Sequence, residues 1–221
     1  MLGIMISPPP DRGARARIYS AAVRLFADHG GDELTVSELA DAAGIARGTI
    51  YNNIETPDNL FGDVAASLSR EMLLRTEATM RDIEDPVERI ATGMRLFIRR
   101  AHEERDWGRF LVRFALTHAA LQNMMREPPA QDIARAIKTG RFRADEALAA
   151  SLAAMLTGST LATMSAVLRG DQPWRAAGSD AAMLFLRAGG LRSAEAEKLS
   201  RLELPPLAPA APARRTKETK R

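Results

Sequence analysis

The sequence predicts an all-α protein in two unequal parts: an N-terminal three-helix helix-turn-helix domain and a larger C-terminal helical domain. Two short helices joined by a glycine turn between residues 35 and 54 predict the first part. Apolar residues at helical spacing through most of the remaining chain, with few alternating β-branched runs, predict the second. The expected divisions are 1–61 (ordered from about residue 12), 62–204, and a basic tail at 205–221 whose Pro, Ala, Lys and Arg content predicts disorder.

Ile18, Ala21, Ala22, Leu25 and Phe26 repeat at helical spacing, and Gly30-Gly31 closes that first helix. Thr35 suits an N-cap, and Glu38 three residues later completes a capping box. Leu34 and Leu39 are spaced as a hydrophobic staple. Val36, Leu39, Ala40 and Ala43 give the second helix one apolar face, and Gly44 supplies the left-handed residue that ends it. In the third helix, Ala46, Ile50 and Ile54 are expected to face inward. Arg47 and Tyr51 then form an outer ridge beside Thr49, Asn52 and Asn53. Such groups read a major groove: Arg pairs with guanine, Asn with adenine, and Tyr or Thr reaches phosphate or a thymine methyl. Thr56-Pro57 supplies a further N-cap with proline in the first helical turn, followed by the stripe Leu60, Phe61, Val64 and Leu68. Three helices in so short a stretch predict a self-contained headpiece.

Ile18-Tyr-Ser-Ala-Ala-Val-Arg-Leu-Phe-Ala-Asp-His-Gly30, then Thr35-Val-Ser-Glu-Leu-Ala-Asp-Ala-Ala-Gly-Ile-Ala-Arg-Gly-Thr-Ile-Tyr51, resembles the TetR family of bacterial transcriptional regulators. The resemblance covers roughly residues 15–61. It implies an all-helical homodimer that binds an operator in double-stranded DNA and is released by a small molecule held in the C-terminal domain. By motif position, Arg47, Thr49, Tyr51, Asn52 and Asn53 fall where such proteins contact DNA, and Thr35 and Ser37 open a helix whose N–H groups meet phosphate. The chain departs from the family pattern at three places. Ala46 replaces a frequent Ser, Asn53-Ile54 a frequent His-Phe, and Pro57 a common phosphate-touching Lys.

Charge does not by itself point to DNA. The formal net charge is +3, but residues 205–221 hold five basic residues against one acid. Residues 1–61 hold five arginines against eight acids. Arg12, Arg15 and Arg17 are the candidates for an arm along the phosphate backbone. There are no cysteines, and His29, His102 and His118 are scattered without metal-ligand spacing. With no glycine-rich phosphate loop either, neither an enzyme nor a cofactor is expected. Met1–Ser7 lacks the basic start of a signal peptide, and no uninterrupted apolar run approaches a membrane span. A cytoplasmic protein with no membrane contact is the expectation.

Further helices are expected from Pro57 to about Arg81, from Asp85-Pro86, one or two from Trp107 to about Met125, then from Pro128-Pro129 to Gly140, over 145–169, from Pro173 to about Leu191, and a short one over Ser193–Leu202. Small residues along 145–169 (Ala149, Ala150, Ala153, Ala154, Gly158, Ala162, Ser165, Ala166) and the apolar residues Ala181, Ala182, Leu184, Phe185 and Ala188 of the 173–191 helix predict a four-helix contact between two copies, the alternative being burial inside one subunit. A pocket for a hydrophobic ligand is expected among the middle helices. Its candidate lining is Met94, Phe97, Phe110, Phe114, Met125 and Met155, with Ile98, Leu121, Met124 and Leu156 nearby. Arg99, Arg109, Arg113 and His118 are candidate polar handles. The whole reads as a ligand-responsive repressor on a quasi-palindromic operator. The alternative is a helical small-molecule-binding or adaptor protein whose headpiece no longer recognises DNA.

Overall fold

A computed structural model describes residues 12–29, 34–54 and 59–210. Among the described residues there are ten α-helices, one short 3-10 turn and no strand. The headpiece is α1 (Arg12–His29), α2 (Val36–Ala43) and α3 (Arg47–Asn53). The body is α4 (Leu60–Thr79), α5 (Pro86–Glu103), α6 (Arg105–Phe114), α7 (Ala119–Lys138), α8 (Ala149–Arg169), α9 (Trp174–Ala188) and α10 (Ser193–Ser200). Gly30-Gly31 and Thr56-Pro57, expected to end one helix and start another, lie outside the described residues.

Helix α5 is the central beam and touches each helix from α6 to α10. Asp85 caps it by accepting from the Val87 N–H at 3.1 Å, with Pro86 in the first turn where no N–H is required. Val87, Ile90, Ala91, Met94, Ile98 and Ala101 are buried along it. Arg141 ties the start of this beam to α10: it holds Asp85 and Glu195 each at 2.7 Å. Both carboxylates push the Arg141 guanidinium above its ordinary pKa.

The headpiece is not self-contained. Its buried residues belong to the same apolar cluster as the body's, because α1 lies against both α4 and α6. Phe26 of α1 meets Phe61 of α4 edge-on at 5.0 Å, and Phe61 meets Phe110 and Phe114 of α6 at 5.5 and 4.8 Å. Aromatic pairs of this kind contribute about 0.5–1.5 kcal/mol each beyond their area.

Of the one or two helices expected over Trp107–Met125 there are two, since residues 115–118 separate α6 from α7. Two further elements differ from expectation. Helix α7 then runs straight through Pro128 and Pro129, which were expected to open a helix. Pro129 has no N–H for the Met125 carbonyl one turn back. The Thr157 hydroxyl of α8 donates to that carbonyl at 3.3 Å, so a neighbouring helix supplies the missing partner. The second difference is the tail, expected to be disordered from residue 205. Its described part, to residue 210, lies along α4: the Ala208 N–H donates to Thr79 Oγ1 at 2.8 Å, and Arg75 Nε donates to the Ala208 carbonyl at 2.7 Å.

The stretch Glu146–Arg169 is long and apolar enough to cross a membrane by length and composition, contrary to the sequence reading. Its apolar side is nevertheless spent on packing, since Leu152, Leu156, Leu161 and Met164 are buried. It touches α5, α6, α7 and α9.

At Gly108 the backbones of α5 and α6 approach so closely that a β-carbon would stand 2.9 Å from Ala101 Cα and Cβ. Gly108→Ala is therefore expected to cost roughly 1–3 kcal/mol. A denaturant midpoint that falls with an unchanged slope is the expected readout.

Candidate functional site

The helix-turn-helix forms through local chemistry. Thr35 Oγ1 accepts from the Glu38 N–H at 3.2 Å, and the Thr35 N–H donates back to Glu38 Oε2 at 2.9 Å. The Thr35 hydroxyl also donates to Glu38 Oε2 at 2.7 Å. These bonds hold the Glu38 carboxyl below its ordinary pKa. Gly44 ends α2 in the left-handed region, at φ 64°, where only glycine carries no steric cost. Arg24 of α1 donates to the Ala42 carbonyl at 3.1 Å, pinning the end of α2 to the first helix.

Helix α3 is anchored by Ile50 and Ile54, both buried. Ala46 differs from expectation: it is the exposed N-cap of α3, and Ile45 packs inward beside it instead. Arg47 and Asn52 are exposed, and Tyr51 is 61% exposed, a large aromatic held out in solvent. Thr49 is half-buried. Asn53 is half-buried as well, and its Nδ2 donates to the Thr49 carbonyl at 2.8 Å while Oδ1 is buried without a partner. Asn53 is thus turned onto its own helix and is the weakest base-reading candidate. Thr35 is exposed, but its hydroxyl and N–H are both committed to Glu38, whose carboxylate sits where a phosphate would approach α2. Ser37 is half-buried in the first turn of α2. Arg15 and Arg17 lie on α1 rather than on an extended arm.

A cavity that opens to solvent lies among α4, α5, α7 and α8. Met94, Phe97 and Met125 line it, together with Leu73, Met80, Met124, Pro128, Pro129 and Leu156. Arg89 and Asp132 form its charged corner: Arg89 Nε is 3.1 Å from both Asp132 oxygens. Burial pushes the Asp132 carboxyl above its ordinary pKa, outweighing the opposing pull of Arg89. Neither residue was singled out from the sequence, where a lone Arg and a lone Asp 43 positions apart carry no signal.

The other expected lining residues lie elsewhere. Phe110 and Phe114 belong to the aromatic contact between headpiece and body, and His118 meets Phe61 edge-on at 5.2 Å with its Nδ1 buried and unpartnered. Met155 is 41% exposed on the outer face of α8. Arg109 and Arg113 serve the headpiece contact: Arg109 pairs with Asp28 at 3.1 Å, and Arg113 donates to the Ala27 carbonyl at 3.2 Å. Arg99 pairs with Glu103 on its own helix. Among the described residues no cluster of three metal-ligating side chains occurs.

A helix-turn-helix presented by a helical body with an internal cavity defines the class of one-component regulators. Residues 18–53 match the pattern of the bacterial regulatory proteins of the tetR family, and residues 85–201 match the tetracyclin repressor-like C-terminal domain. The chain belongs to the TetR family. It is 31% identical over 103 residues to the HTH-type transcriptional repressor Rv1474c of Mycobacterium tuberculosis, covering 43% of this chain and 54% of that one. It is 32% identical over 65 residues to the repressor KstR2 of Rhodococcus jostii, covering 27% of this chain and 32% of that one. The match therefore spans about half the length of the first relative and a third of the second. Among solved structures, RolR in complex with resorcinol superposes with a TM-score of 0.65 at 26% identity, over 88% of this chain and 96% of RolR.

Thr35→Ala is expected to destabilise the fold by about 1 kcal/mol, the usual cost of an N-cap. A carboxyl held low in the fold stabilises it above the unfolded value, near pH 4.3 for glutamate, and that contribution is lost as pH falls through the folded value. The gap between Thr35→Ala and the unaltered chain should therefore narrow below about pH 4.3 in unfolding titrations.

Proposed function

We propose that this chain is a ligand-responsive transcriptional repressor, non-enzymatic and cytoplasmic, which binds a quasi-palindromic operator as a homodimer and leaves it when a small apolar effector fills the cavity. The observation that carries the reading is the outward Arg47–Tyr51 edge of α3, a guanidinium and a phenol one turn apart on a helix whose opposite side is buried. Arg47, Tyr51 and Asn52 are the base-reading candidates, Thr49 a supporting contact, and the first turn of α2 at Ser37 a phosphate contact. Two copies would present their α3 helices to successive major grooves about 34–36 Å apart.

An exposed apolar surface supports the dimer. Leu148, Met155 and Leu184 are 50%, 41% and 59% exposed, and Ala150, Ala154, Gly158 and Ala162 leave small, exposed side chains along α8. Ala153, Ala182 and Phe185, expected at the same contact, are instead buried within the subunit. Small residues permit close helix approach, and large exposed apolar side chains on the same helices favour an interaction site there.

Helix α4 offers a route from cavity to headpiece. Its last turns carry Leu73, Thr76 and Met80 into the cavity wall, while its first turn carries Phe61 against Phe26 of α1. Between them the buried Arg100 grips Glu71 at 3.0 Å, lies over the Trp107 ring at 4.5 Å and reaches Met72 Sδ at 3.4 Å. A helix of 20 residues held at its middle acts as a lever about 30 Å long, so a ligand pressing on one end displaces the other. The ligand shifts the headpiece only by as much as it prefers one α4 position over the other.

The adaptor reading draws on Glu38, whose carboxylate occupies the start of α2, and on the acidic balance of residues 1–61. Selection of duplexes from a random library at low salt separates the two readings. Enrichment of a two-fold-symmetric site supports the repressor; no enrichment supports the adaptor. On the selected site Arg47→Ala should cost about 1–3 kcal/mol and relax preference at one or two base pairs. An equal loss on scrambled DNA would make Arg47 a phosphate contact instead.

A further inference from the structure

We infer that the cavity takes an uncharged ligand bearing a hydroxyl on an apolar body, and that it selects this ligand over the corresponding carboxylate or ether. The inference rests on reading the cavity as the effector site, and it follows from where the cavity's own protons go.

Three threonines line the cavity, and each hydroxyl proton is spent on a backbone carbonyl. Thr76 donates to Met72 at 2.8 Å, Thr160 to Leu156 at 2.7 Å and Thr157 to Met125 at 3.3 Å. A hydroxyl has one proton, so what these three offer a ligand is lone pairs. Asp132 adds a carboxylate, acceptor-only when ionised. Its Oδ1 faces both Arg89 Nε at 3.1 Å and Arg135 at 3.4 Å, while Oδ2 takes Arg89 alone, leaving acceptor capacity on that oxygen. The polar lining is therefore rich in acceptors.

The one strong donor is already engaged. Arg89 gives Nη1 to the Met80 carbonyl at 2.8 Å and Nη2 to Glu77 at 3.2 Å, besides Nε to Asp132. Two of its five N–H groups remain. Charges balance locally, with Arg89 and Arg135 against Asp132 and Glu77. An incoming carboxylate would find no net positive field and would face the Asp132 charge. An ether accepts but cannot donate, leaving the free Asp132 lone pairs dry and unpaired. A hydroxyl does both: it donates to Asp132 and accepts from a remaining Arg89 N–H. Met94, Phe97, Met124 and Met125 meet the apolar remainder, the methionines adjusting to its outline.

Calorimetric titration of the intact chain with 4-ethylphenol, 4-ethylanisole and 4-ethylbenzoate tests this. The phenol should bind about tenfold or more tightly than either other compound, the range set by one hydrogen bond to a charged group. Asp132→Asn should erase most of that preference. Thr160→Val removes an acceptor that the phenol's one proton does not use, so it should leave the preference in place; a loss there as large as in Asp132→Asn overturns the assignment to Asp132. Equal or tighter binding of the anisole or the benzoate overturns the inference, as does binding of none of the three. Phenol binding by a chain that enriches no duplex supports the inference and overturns the repressor reading; release of the selected duplex by benzoate but not by phenol does the reverse.

Discussion

Helix α1 depends on a face it does not own. Its inner side is completed by α4 and α6, through Phe26 against Phe61 and Phe110 and through two arginines of α6 on its C-terminal turn. A headpiece of three short helices buries little surface alone, and small domains are marginal for that reason. Sharing a core with the body resolves the deficit and has a mechanical consequence. The recognition helix is positioned by α1, α1 is positioned by α4 and α6, and α4 also walls the cavity. Packed interiors move between discrete arrangements rather than deforming smoothly, so a change at the cavity has a physical route to α3.

One wall of the cavity is a stretch of α7 that carries two prolines. A proline ring in a helix interior normally costs about 3 kcal/mol through the lost bond and the clash with the preceding turn. Here both rings face the cavity, and the Thr157 hydroxyl repairs one freed carbonyl. The same bond commits the Thr157 proton, so its hydroxyl can only accept from whatever enters the cavity it lines. Structure and chemistry of the site are thus linked: the element that lets α7 continue also sets the hydrogen-bonding character of the wall it lines.

What was legible in the sequence was whatever is decided within one or two turns of chain. The Thr35–Glu38 capping box, the left-handed Gly44, the Asp85-Pro86 helix start and the outward Arg47–Tyr51 edge depend on spacing alone. What was not legible depends on partners far away in sequence. Pro128-Pro129 reads locally as a helix start, and only Thr157 on α8 makes a continuous helix acceptable. Phe110, Phe114 and Met155 read as candidate lining because an apolar stripe does not say whether it faces a cavity, a neighbouring helix or solvent. The Arg89–Asp132 pair joins α5 to α7, and no local pattern announces it. The strap at residues 207–208 is held by Thr79 and Arg75 of α4, bonds that a Pro- and Ala-rich composition gives no means to anticipate.

A core shared in this way requires headpiece and body to open as one cooperative unit. Native-state hydrogen exchange compares the opening free energy of buried α1 amides, around Ala22 and Phe26, with those of α6, around Phe110 and Leu111. Closely matching values that fall together when Phe61 is truncated to alanine are the predicted result. Exchange through α1 at a much lower free energy than α6, unaffected by Phe61, would mean that the two parts fold separately and would contradict the coupling described.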